Sequence, residues 1–110
     1  MRSVDIHIGI GFMQKRLNNF FKKHLVDSIF KILPLFEESN DGYQSYVDSL
    51  IKETSGLVKY LKLDNAEILS LIGVLTSLKD ALQEGYSHSE VRREVFKAIG
   101  LSKTIAEAVI

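Results

Sequence analysis

The 110-residue chain has no cysteine and no tryptophan, and only one proline. Without thiols there is no disulfide scaffold, no thiolate metal site and no cysteine nucleophile. Neither sign of charge prevails, because 14 Lys and Arg balance 14 Asp and Glu. No net field therefore draws the chain to nucleic acid or to an anionic membrane. Long apolar runs are missing too: the stretch around Leu71–Leu75 is bounded by Ser70 and Thr76, far short of the ~20 residues of a spanning helix. After Arg2, the residues Asp5, His7, Gly9 and Gly11 leave no apolar signal core. The expectation is a soluble, cytoplasmic chain with no membrane partner.

Motifs that carry chemistry are equally scarce. His7, His24 and His88 stand in separate segments, and none has the i, i+3 or i, i+4 neighbour that would put two imidazoles on one metal. Glu37, Glu38 and Asp41 lie in a polar stretch beside Gly42 and read as a solvated turn rather than an acid and base pair. Gly9 and Gly11 begin a dinucleotide-binding fingerprint, but Gln14 occupies its third glycine position and no strand–helix alternation follows. No catalytic, cofactor-binding or metal-binding residues are assigned, and no enzyme activity or cofactor is expected.

What is present is the material of a helical core: 45% apolar and 25% charged residues. At this length one domain spanning residues 1–110 would bury roughly 65% of its unfolded surface. From Val4 to Phe12 the apolar residues alternate (Val4, Ile6, Ile8, Ile10, Phe12), which predicts an extended or strand-like arm over 1–12 ahead of a bundle over 13–110. From Phe12 to Leu33 the period becomes helical, and Val26 and Phe30 widen the apolar arc beyond one stripe before Pro34. A second helix follows over Tyr43–Leu61, with Thr54 on its apolar stripe. A third carries Ile68, Leu71, Ile72, Leu75 and Leu78 nearly all round, which predicts a central helix ending at Gly85 and a close helix crossing at Gly73. Ser87 and Glu90 form a capping box for a fourth helix ending at Gly100, and Ser102 caps a short C-terminal one. The fold class expected is all-α: a compact bundle of four main helices plus a short C-terminal helix.

The balanced charge is unevenly spread: residues 1–35 carry +4, residues 36–90 carry −6 and residues 91–110 carry +2. Residues 91–105 resemble the second and third helices of a helix-turn-helix, with Gly100-Leu101-Ser102 as the turn. That resemblance implies DNA contacts from Arg92, Arg93, Lys97, Lys103 and Thr104. It departs from the motif at Phe96, where a small residue normally lets the helices approach. The first expectation is a non-enzymatic protein–protein interaction or regulatory protein, homodimeric and binding another protein as well. Its interface would be Val4, Ile6, Ile8, Ile10, Phe12, Val26 and Phe30, because this apolar surface exceeds what one chain can cover. A DNA-associated regulator using residues 91–110 is the alternative, with nucleic acid disfavoured by the charge balance.

Overall fold

The computed structural model describes residues 15–61 and 66–108. It is all-α, as the periodicity predicts, and contains no strand among the described residues. The predicted arm over 1–12 lies outside the described residues, and so do Val4, Ile6, Ile8, Ile10 and Phe12.

The chain is helical from Lys15 and passes through a π-helical turn at Phe20–His24. It continues as α1 (Leu25–Phe30), breaks at Lys31, and resumes as α2 (Ile32–Glu37). Two long helices follow, α3 (Tyr43–Leu61) and α4 (Ala66–Lys79). The last, α5 (His88–Ala108), packs against α1, α2 and the π turn on one side and against α4 on the other. Phe21, Leu25, Ile29, Tyr43, Val47, Leu71, Leu75, Val95 and Ile105 are among the fully buried side chains of one continuous core.

Each helix builds that core with residues three and four apart, the spacing that keeps side chains on one face. α3 buries Tyr43, Val47, Leu50 and Thr54; α4 buries Ile68, Leu71, Val74, Leu75 and Leu78. The Thr54 hydroxyl is enclosed without a hydrogen-bond partner. On the surface, Asp48 joins Lys52 at 3.0 Å and Lys79 of α4 at 3.6 Å. The hydrogen bond from Lys52 is the main reason its carboxyl sits below the usual carboxylate range.

Backbone carbonyls at or near irregular points take side-chain donors from other helices, which ties the helices together. In the π turn the Leu25 N–H reaches back five residues to the Phe20 carbonyl instead of four to Phe21. The Phe21 carbonyl receives the buried Ser102 hydroxyl of α5 instead. Beside the break at Lys31, the Tyr46 hydroxyl of α3 donates to the Ser28 carbonyl at 2.7 Å. Near the end of α4, the buried Tyr43 hydroxyl donates to the Leu78 carbonyl. Burial raises the Tyr43 phenol to about 12.

Two turns close the same end of the bundle with the same device. After α2, Asn40 N–H bonds the Leu35 carbonyl and Ser39 N–H the Phe36 carbonyl, with Ser39 left-handed at φ 48°. After α4, Tyr86 N–H bonds Ala81 and Gly85 N–H bonds Leu82, with Gly85 at φ 73°. Both are Schellman closures, which need a left-handed residue just past the helix. The Ser87–Glu90 capping box is present as predicted: Glu90 N–H donates to the Ser87 hydroxyl at 3.2 Å and Ser87 N–H to the Glu90 carboxylate at 3.3 Å.

Four expectations are corrected. Gly100 does not end a helix: α5 runs unbroken to Ala108, so the separate short C-terminal helix and the helix-turn-helix geometry are both absent. Pro34 lies inside α2, where its missing N–H falls in a first turn that needs no donor. Regular helix stops at Lys79 rather than at Gly85, although Gly85 closes the turns that follow. Gly73 is exposed, and a Cβ built on it would meet nothing within 4 Å, so no helix crosses there.

Candidate docking surface

The residues that form the site lie along the seam where the first helical stretch runs antiparallel to α5. Glu37 meets His88 at one end (2.7 Å), and Asn18 Nδ2 donates to the Ala106 carbonyl at the other (2.8 Å). Between them the core-facing positions are filled by Val26, Ile29, Val95 and Ile99, all buried. Val26, predicted as interface, is thus consumed by the chain's own core, and that expectation is corrected. Its position behind the main stripe is the side on which α5 packs.

Phe30 behaves differently. It remains 42% exposed and sets its ring at 5.9 Å and nearly perpendicular to Phe96 of α5, itself 47% exposed. This edge-to-face geometry is favourable for two rings. Arg92, one turn before Phe96, holds its guanidinium 5.8 Å from that ring, within cation–π range. Phe96, the residue that fits a helix-turn-helix poorly, is thereby accounted for as half of an outward aromatic pair.

Toward the far end the seam opens into a depression of about 390 Å³ lined by Asn18, Lys22, Lys23, Lys103, Ala106 and Glu107. Three ammonium groups against one carboxylate make it basic. Toward the near end stand Glu37 and His88, both exposed. The seam therefore reads acidic, aromatic, basic along its length.

The residues of the DNA alternative do not gather. Arg92 and Lys103 face the seam, whereas Lys97 lines a groove of about 410 Å³ on the opposite side of α5 with Ser70, Gly73, Ser77 and Glu94. Arg93 is exposed, and the exposed Thr104 turns its hydroxyl back to the Gly100 carbonyl at 3.0 Å. Comparison with protein-family profiles, with curated proteins and with solved structures finds no match to this chain. The histidines described make separate hydrogen bonds to carboxylates, His24 with Glu53 at 2.9 Å and His88 with Glu37. No group of three or more His, Cys, Asp or Glu that could hold a metal occurs among the described residues. No described helix is long and apolar enough to cross a membrane.

Sequence reasoning found Phe30 as an excess apolar residue and missed its partner. The signal for Phe96 was available: on one α5 wheel it falls opposite the buried Ala98 and Ile105, and an aromatic on the outer face of an otherwise polar helix asks for an explanation.

Proposed function

We propose that this chain is a non-enzymatic interaction protein of regulatory type, and that its working surface is the seam between the first helical stretch and α5. The observation that carries the reading is the exposed Phe30–Phe96 pair with Arg92 against it. Aromatic and arginine side chains are the residue types that anchor protein interfaces. Covering the exposed part of each ring, 42% for Phe30 and 47% for Phe96, would gain roughly 0.5–1.5 kcal/mol per ring. The DNA-associated alternative loses its main support, because it rested on a turn at Gly100-Leu101-Ser102 that α5 does not make.

The test is the native size of the protein in extracts of cells that produce it, for the wild type and for Phe30→Ser/Phe96→Ser. Both rings are half outside the core, so the double variant should keep its helical circular dichroism. The wild type should elute in an assembly larger than its 12.4 kDa chain, and the variant should elute as the single chain. A variant that stays in the same assembly would remove the seam from the interface and end this reading.

A further inference from the structure

We infer that the partner seated on this seam is a second copy of the same chain, antiparallel to the first about a twofold axis through the aromatic pair. This rests on the seam being the docking surface. The argument is the order of charges along the seam. Seven residues before Phe30 stands Lys23, and seven after it stands Glu37. On α5, Lys103 stands seven after Phe96, and His88, which holds Glu37, stands eight before it. On the unbroken α5 seven residues are about two helical turns, or ~10.5 Å.

A twofold axis at the centre of such a sequence maps each end of the seam onto the opposite end of its partner. The Lys22, Lys23 and Lys103 end of one copy then lies over the Glu37 end of the other, twice. The aromatic pairs meet at the axis, where a self-complementary apolar patch is what an isologous contact requires. The same operation places Arg92, four residues before Phe96, over the position four residues after it. That position is Gly100, exposed and with nothing within 4 Å of where its Cβ would be. The glycine leaves room for an arginine instead of opposing it with a side chain. A parallel pairing would set lysines against lysines and carboxylates against carboxylates, which like-charge repulsion disfavours.

Sedimentation equilibrium of the purified full chain decides the matter. The wild type should form a particle of twice 12.4 kDa, more weakly as salt rises. Lys23→Glu should raise the dissociation constant ~10-fold or more, and adding Glu37→Lys should bring it back to within ~3-fold of the wild type. Lys59→Glu, an exposed change on α3 outside the seam, should leave it unmoved. Gly100→Gln should raise the thermal stability of the monomer through better helix propensity yet weaken the dimer ~10-fold or more by filling the space opposite Arg92. A chain that stays monomeric when pure, but elutes from extracts in an assembly that needs Phe30 and Phe96, would overturn the second copy while leaving the docking surface in place. A dimer indifferent to the charge exchange and to Gly100→Gln would overturn the antiparallel register.

Discussion

α5 has two neighbours, and it meets them in opposite ways. On the side of the first helical stretch the contact is irregular: a π turn, a break at Lys31, a buried Ser102 hydroxyl on a freed carbonyl, and aromatic rings left over on the outside. On the side of α4 the helices are regular and their outer margin is an open groove with Gly73, Ser70 and Ser77 on its wall. Excess apolar surface collects where the backbone is irregular, and small residues mark a gap rather than a tight crossing. The two sides therefore differ in kind: both bury apolar side chains, and the first-helix side adds specific polar locks and leaves Phe30 and Phe96 partly exposed.

The comparison can be broken most forcefully at the α4 side. Leu75 is fully enclosed, so Leu75→Ala should cost ~2–5 kcal/mol in chemical denaturation. Leu69, on the same helix but 67% exposed, should cost under ~0.5 kcal/mol on the same change. Equal losses would mean that α4 does not anchor the core.

The next effect reads the α3–α4 contact through pH. Tyr43 holds its proton to about 12 in the folded chain, whereas an unfolded tyrosine loses it near 10. Between these values the folded state binds more protons than the unfolded one, so stability falls as pH rises, by at most about 2.5 kcal/mol. Denaturation curves from pH 9 to pH 12 should show this decline, and Tyr43→Phe should flatten it while lowering stability at neutral pH. A variant with the wild-type slope would place the titration elsewhere.

Ser102→Ala addresses the first-helix side. It leaves the buried Phe21 carbonyl without its donor, at a cost of about 1–3 kcal/mol, and amide exchange should quicken first around residues 20–25. Smallest is Gly73→Ala, which meets no atom within 4 Å and should stabilise by ~0.8–1 kcal/mol through helix propensity. A loss of stability there would restore the close crossing that the structure lacks.

Much of the architecture was legible before the structure, because burial at three- and four-residue spacing is written directly in the chain. Ile68, Leu71, Leu75 and Leu78 face the core as read, and Ser87 with Glu90 caps α5. The errors at Gly100 and Ser102 share a cause: a residue with a strong local preference is read through that preference alone. Val91, Val95, Ala98, Ser102 and Ile105 form one unbroken buried stripe. Taking Ser102 as a cap and Gly100 as a stop cut that stripe in two. The serine is in the stripe because a carbonyl on another helix needs its hydroxyl, a demand invisible from the local sequence. The first helix, expected to run to Leu33, breaks two residues earlier at Lys31, and Pro34 sits in the first turn of the helix that follows. The aromatic pair was half legible, through Phe30, because its other half, Phe96, lies 66 residues further along the chain.

The π turn has a meaning that can be expressed as phase. Leu17, Phe21, Leu25 and Ile29 recur at strict intervals of four. On a regular helix each such step overshoots a full turn by about 40°, so the fourth residue would trail the first by about 120°. One residue absorbed into the wide turn at Phe20–His24 returns about 100° of that drift and aligns all four. Removing a single residue there, Lys22 for instance, would let the helix wind regularly and keep Leu17 and Asn18 in phase with α5, whereas winding the intact sequence as a regular helix would swing them about 100° away. The wide turn works as a vernier, setting the angle at which Leu17 and Asn18 meet the rest of the molecule.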